Sequence, residues 1–350
     1  MSEKSLPGLN LIIENILSRK LGVHSLVRIE TLQSLWSGYG EILRCIVSGC
    51  ETDTFIVKHI KVPDNVDHPR GWNSDISHKR KMHSYQVEGN WYRYWVPSES
   101  LHEEVNQQLN CRVPKSFFIQ SNNSEFLFIL EDLDAAGYSR RIAQASLPQI
   151  HLCLRWLANF HAKFMGQQAD KNSNDTLWPV GTYWHLATRL DELAALNDEQ
   201  LKQAANKIDT TLNTCHYQTI VHGDAKIANF CFTENADQVA AVDFQYVGGG
   251  CGIKDVMLFL SSCLNSDQCK QYEAQLLDYY FTSLKTALAA QEYEIDTDAL
   301  EQEWRTLYAF AWADFVRFLK GWSPGHWKIH DYSENLTQRV IEQLDKKSPN

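Results

Sequence analysis

An aspartate at 224, an asparagine at 229 and a second aspartate at 243 are the residues of this sequence best suited to chemistry. They lie in Val221-His222-Gly223-Asp224-Ala225-Lys226-Ile227-Ala228-Asn229-Phe230 and in Ala240-Ala241-Val242-Asp243-Phe244-Gln245. A carboxylate can orient an attacking hydroxyl, and an amide oxygen with a second carboxylate can hold Mg²⁺. Phosphoryl transfer from ATP needs these groups. Each segment follows a short apolar run, residues 219–221 and 239–242, as expected where buried strands end at a reaction site.

Such groups need a scaffold, and the sequence supplies two kinds. In the first third, apolar residues at helical spacing over 9–21 end near Gly22. Strands are expected over 27–36 and 41–48, joined by the hairpin turn Ser37-Gly38-Tyr39-Gly40, and over 54–60, with Lys58 near its end. A polar loop over 63–77 leads to a helix over 77–95 that carries Tyr85, Glu88, Trp91 and Tyr92. Residues 113–120 and 125–130 form a strand pair around Ser121-Asn122-Asn123-Ser124. After Glu131-Asp132-Leu133-Asp134 the pattern becomes mostly helical. Residues 147–165 put Ile150, Leu154, Leu157, Phe160 and Phe164 on one face. Helical regions follow over 186–212, with a break near Asn197-Asp198, then over 255–288 and 297–319. The expected fold is α+β and two-lobed: a small antiparallel-sheet lobe over 1–133, ending in a hinge, and a larger helical lobe over 134–350.

With 350 residues the chain can bury two cores. A net charge of −10 argues against nucleic acid and anionic membrane as partners, since both need a basic surface. The nine cysteines form no Cys-x-x-Cys pair, which removes a zinc site and, with no signal peptide, places the chain in a reducing cytoplasm. No apolar run is long enough to span a bilayer. Oligomeric state is left open.

The order of Gly-containing hairpin, strand Lys, helix Glu, His-Gly-Asp…Asn and Asp-Phe-Gln resembles the protein-kinase-like fold of small-molecule kinases. These include aminoglycoside phosphotransferases, choline kinases and the ecdysteroid-kinase-like (choline-kinase-like) group, and residues 221–260 resemble the last most closely. The resemblance implies that Asp224 is the base and that Asn229 and Asp243 hold Mg²⁺. Lys226, as in the Asp-x-Lys-x-x-Asn loop of protein Ser/Thr kinases, would offset charge on the γ-phosphate. Lys58 would contact phosphates and pair with Glu88, with Glu103 and Glu104 as rivals. Gly38, Tyr39 and Gly40 would cover the phosphates through backbone N–H groups. Glu131 and Leu133 would form the hinge against adenine, and His222 would support the catalytic loop. Asp255 would cap a helix, brace the loop backbone, or both.

Gly248-Gly249-Gly250-Cys251-Gly252 stands where protein kinases carry an activation loop, and it is too short for a peptide-docking platform. Trp178, Tyr183, Trp184, Tyr308, Trp312, Trp322 and Trp327 line an acceptor pocket or pack in the core. Asp314 meets a cation or pairs with Arg317. The sequence thus describes an ATP- and Mg²⁺-dependent kinase acting on a hydroxyl of a small-molecule alcohol, choline-like, amino-sugar or steroid-like. A protein kinase, a nucleotide-binding pseudokinase and a helical scaffold remain as alternatives.

Overall fold

Helix α1 (Pro7–Leu21) places Leu9, Ile13 and Leu17 one turn apart on a single buried face. The computed structural model describes residues 7–35, 38–61, 74–96, 111–122, 125–169, 176–291 and 294–346. Trp36, Ser37, residues 63–73, Glu103, Glu104, Asn123 and Ser124 lie outside the described residues. The α1 face packs on Leu43, Cys45, Val47, Phe55, Val57, Leu127 and Ile129. Each such side chain contributes on the order of 1.5–3 kcal/mol when fully buried.

Those partners come from an antiparallel sheet of five strands: β1 (Ser25–Ser34), β2 (Gly40–Ser48), β3 (Thr54–Lys61), β4 (Ser116–Ser121) and β5 (Glu125–Glu131). Their order is β1-β2-β3-β5-β4. Lys58 stands opposite Ile42 on one side and Phe128 on the other. Because Phe55 and Val57 face α1, the two-residue period sends Lys58 to the other face of the sheet. Arg44 shares that face by the same parity.

The chain divides into two compact units, residues 1–78 with 114–139 and residues 79–113 with 140–350. Most of α2 (Ser74–Asn90) therefore belongs to the second unit, although it precedes β4 and β5 in sequence. A single boundary at 133 would have assigned it to the first. The helix does not run on to residue 95 in α form: Trp91–Trp95 make a π turn that buries Trp91, Tyr92 and Trp95.

In the second unit, α3 (Leu147–Lys163) starts with a capping box in which Ser146 N–H donates to Gln149 Oε1 at 2.9 Å. The break expected near Asn197-Asp198 is a helix cap. Asp198 accepts the Leu201 N–H and separates the short α4 (Leu190–Ala194) from α5 (Glu199–Asn213). Strands β6 (Thr219–Val221), β7 (Phe230–Phe232), β8 (Val239–Ala241) and β9 (Gly248–Gly250) form two antiparallel pairs, β6 with β9 and β7 with β8. Helices α6 (Ile253–Cys263), α7 (Ser266–Ala289), α8 (Thr297–Trp322) and α9 (Asp331–Lys346) complete the unit. The α9 helix has no counterpart in the pattern read from sequence.

Candidate active site

The turn after β6 carries His222, Gly223 and Asp224, and its shape depends on the glycine. Gly223 has φ +79, and a Cβ there would lie 2.0 Å from the Tyr246 carbonyl oxygen. Its N–H donates to Asp255 Oδ1 at 3.0 Å, and the His222 N–H donates to Asp255 Oδ2 at 2.6 Å. Asp255 lies in the first turn of α6, fully buried, with Gly252 rather than itself as the N-cap. The bracing role is therefore the one it takes. His161 Nε2 donates to the same Oδ2 at 3.2 Å, and its Nδ1 accepts from the Tyr280 hydroxyl at 2.8 Å. This carboxylate is buried with donors on both oxygens, as a buried charge requires.

His222 is held as a single tautomer. Its Nε2 donates to the Val242 carbonyl at 3.0 Å, so Nδ1 is left to accept the Asp224 N–H at 3.2 Å. The imidazole thereby ties the loop to the strand that leads into Asp243. Val242 N–H closes the link by donating to the Asn229 carbonyl at 3.0 Å.

Asp224 is buried, and its two oxygens differ. Oδ2 accepts Lys226 Nζ at 2.8 Å and Asn229 Nδ2 at 3.0 Å. Oδ1 is buried without a hydrogen-bond partner among the described residues. Burial raises the Asp224 carboxyl above its ordinary value; the Lys226 ammonium opposes that shift and the Asp243 charge adds to it. Burial works against the Lys226 charge, yet the Asp224 carboxylate raises that ammonium above its usual value.

Asn229 also donates Nδ2 to the Asp224 carbonyl at 2.8 Å, which leaves its Oδ1 as the atom for a cation. Asp243 adopts φ +71, a conformation that non-glycine residues rarely hold outside special sites. One amide oxygen and one carboxylate fit Mg²⁺, which takes one or two protein ligands and completes its shell with water and phosphate oxygens. Among the described residues there is no group of three His, Cys, Asp or Glu side chains that could hold a metal by themselves.

Phe244 and Gln245 anchor the other side of Asp243. Phe244 stacks on Trp91 at 4.7 Å between ring centroids, and Ser84 Oγ donates to Gln245 Oε1 at 3.3 Å. Both contacts come from α2 and its π turn, the element that carries the buried Glu88. The Glu88 and Asp243 charges both act on the buried Tyr92 hydroxyl, which burial pushes well above its ordinary value.

The residues selected for the nucleotide, Glu88 apart, belong to the first unit. Lys58 is buried on β3. Gly38 has φ +73 with open space where a Cβ would stand. Gly40 is needed by the sheet itself, since a Cβ there would meet the His59 carbonyl at 2.1 Å. Tyr39 is buried, and its hydroxyl bonds His78 Nδ1 at 2.7 Å, so only its backbone is offered to a ligand. Glu131 Oε2 accepts the Lys115 N–H at 2.9 Å, and the Leu133 carbonyl accepts the Tyr138 N–H at 2.7 Å. Sequence reasoning passed over Arg44, whose guanidinium reaches Asp132 at 2.6 and 3.1 Å and Asp134 at 2.6 Å. A strand arginine thus pins Asp132 and Asp134, two of the three acidic residues in the segment expected to form the hinge.

Of the aromatic residues, Trp184, Tyr308 and Trp312 are core. Asp314 pairs with Arg317 at 2.7 Å and accepts Trp184 Nε1 at 3.0 Å, which disposes of it as a cation receptor. Tyr183 is different: its N–H donates to the Gly223 carbonyl at 3.2 Å, and burial together with the Asp224 charge raises its hydroxyl well above the ordinary value. The Gly248–Gly250 strand pairs with Thr219–Val221, and a Cβ at Gly248 would lie 2.2 Å from the Trp178 carbonyl. The connector is a packed strand.

A five-stranded antiparallel sheet followed by a helical unit with this loop defines the class: a small-molecule kinase, a phosphotransferase with a kinase-like fold. The chain belongs to the ecdysteroid kinase-like family, which its sequence matches over residues 54–176 and 180–293. Among solved structures it is similar to a choline kinase from Cryptosporidium parvum Iowa II, with a TM-score of 0.54, 9% identity, and 96% of this chain and 95% of that one covered. A microcompartment-associated aminopropanol kinase gives a TM-score of 0.50 at 11% identity, with 96% of this chain and 94% of that one covered. A type VIII aminoglycoside-3′-phosphotransferase gives 0.43 at 12% identity, covering 86% of this chain and 99% of that one. No curated protein matches the sequence. No helix among the described residues is long and apolar enough to cross a membrane.

Proposed function

We propose that this chain transfers the γ-phosphoryl group of ATP to a hydroxyl of a small-molecule alcohol, with Asp224 as the base. The observation that carries the reading is the split environment of the Asp224 carboxylate. Oδ2 is held by Lys226 and Asn229, while the buried Oδ1 remains to accept the hydroxyl proton. The alcohol oxygen bonds to the γ-phosphorus as the bond to ADP breaks, and its proton passes to Asp224 Oδ1. Lys226, 2.8 Å from the carboxylate, is close enough to offset charge on the transferring group. Asn229 and Asp243 would hold Mg²⁺, which when bound neutralises phosphate charge. Lys58 and the backbone around Gly38 and Gly40 would position the triphosphate, Glu88 would orient Lys58, and Glu131 with Leu133 would face adenine. Positioning and electrostatics account for most of the acceleration such a site can give. Reduced cysteines and an acidic surface suit a cytoplasmic setting.

The acceptors to try are choline-like, amino-sugar and steroid-like alcohols, with ADP release as the readout. Mg·ATP should raise the melting temperature, and at least one class of alcohol should accelerate ADP release. A melting shift without transfer to any alcohol would mark a nucleotide-binding pseudokinase. No shift at all would mark a scaffold.

A further inference from the structure

Lys328 lies in the turn between α8 and α9, and it is nine-tenths buried. Its Nζ donates to Ser261 Oγ at 3.1 Å, and Ser261 Oγ in turn donates to the Leu258 carbonyl at 2.7 Å. That occupies one of three ammonium protons. Among the described residues no carboxylate lies within ion-pair distance of it. It also faces two aromatic rings, Phe315 at 5.3 Å and Trp327 at 5.6 Å from ring centroids, and the charges of Cys263 and Lys226 act on it as well. The backbone is fixed from both sides, because the Lys328 N–H donates to His326 Nδ1 and its carbonyl accepts Ser333 Oγ.

Two chains of contacts link the surroundings of this ammonium to the catalytic loop. The next residue of α6, Ser262, accepts the Ile227 N–H at 2.9 Å, so the same helix end touches the catalytic loop. On the other side Phe315 packs 6.3 Å from Tyr183, whose N–H bonds the Gly223 carbonyl. An aromatic wall therefore runs from Lys328 to the residue preceding Asp224. Burial lowers the Lys328 ammonium to about 8, and the Asp224 charge opposes that fall.

We propose that Lys328 is the specificity-determining residue of the acceptor site, binding an oxygen or carboxylate of the alcohol and disfavouring alcohols that carry a positive charge. The inference rests on the phosphotransferase reading of Asp224 and narrows its substrate class. A buried cation with no carboxylate in direct contact is costly. A ligand oxygen would supply the missing partner, whereas a second cation against the same aromatic faces would repel it. The faces of Phe315 and Trp327 that could hold a quaternary ammonium already hold the chain's own.

The test is a ligand-observed NMR titration of choline, of its uncharged carbon isostere neohexyl alcohol, and of γ-hydroxybutyrate. It is run with Mg·ADP present on the wild type, Lys328→Met and Lys328→Arg. The wild type should bind γ-hydroxybutyrate and neohexyl alcohol at least about tenfold more tightly than choline, from like-charge repulsion at short range. Lys328→Met should lose that preference and Lys328→Arg should keep it. Equal or tighter binding of choline, an unchanged preference in Lys328→Met, or no binding of the uncharged and anionic probes overturns the inference. ADP release on the same samples separates the two readings. The charge preference without transfer removes the kinase reading and leaves the anion site; transfer to choline does the reverse.

Discussion

Lys226 Nζ and Asp224 Oδ2 lie 2.8 Å apart, an ion pair between residues two apart in one loop. The carboxylate must be ionised to act as a base, and burial raises it while Lys226 opposes the rise. Removing the ammonium should therefore move the acid limb of the kcat/KM profile to higher pH. Lys226→Ala should also lower kcat by about 10- to 100-fold with little change in ATP affinity, as for a group that acts on charge developing in transfer. A pH profile of both enzymes checks this, and an unmoved limb would leave Lys226 outside the reaction.

Asp224 and Asp243 should separate in their effects. Asp224→Asn keeps the hydrogen-bonding shape, so Mg·ATP should still raise the melting temperature while transfer falls about 10²- to 10⁴-fold. Asp243→Asn should lose much of the Mg²⁺-dependent part of that shift as well. Paired melting curves with and without Mg²⁺ distinguish the two roles.

Gly223→Ala should be among the most damaging small substitutions in the chain. The added Cβ would lie 2.0 Å from one carbonyl oxygen and 2.8 Å from the Thr182 nitrogen, in a backbone conformation side chains avoid. A loss of more than about 2 kcal/mol is expected from such strain. Urea unfolding measures it.

Lys328 gives a pH signature with a definite sign. Its ammonium titrates near 8 in the folded chain against 10.5 for an unperturbed lysine. Between those values the unfolded chain binds more protons, so the site's contribution to stability rises with pH across that window. Below it both states are charged and the buried charge costs its full amount. Lys328→Met should thus be more stable than the wild type at neutral pH, by about 1–3 kcal/mol. The gap should close towards the upper end of the window, and denaturant curves at both ends test it.

What can be read from sequence follows from how far apart the interacting residues are. Asp224, Lys226, Asn229 and Asp243 fall within one short stretch, so their spacing carries the chemistry directly. The strands and helices of the sheet unit follow from apolar alternation, with shifts of two or three residues at β1 and β4. Lys328 is invisible by contrast, because Ser261 and Phe315, which help bury it, come from two other helices, and only Trp327 is its neighbour in sequence. As a sequence feature it is one lysine after a Trp-rich helix end, and such residues are usually solvated. Arg44 hides for a similar reason: its partners Asp132 and Asp134 lie beyond β3, α2, β4 and β5 in the sequence. The aromatic residues mislead in the other direction, since Trp184 and Trp312 have the composition of a ligand cage and the burial of a core.

The stack of Trp91 on Phe244, with Ser84 bonded to Gln245, has a consequence for local opening. Amides in the last turns of α2 and those around Asp243 flank one buried aromatic joint, and opening either is expected to disturb it. They should exchange hydrogen for deuterium as a single cooperative unit, with matching free energies of opening. Trp91→Ala should uncouple them, and the Asp243 turn should then exchange first.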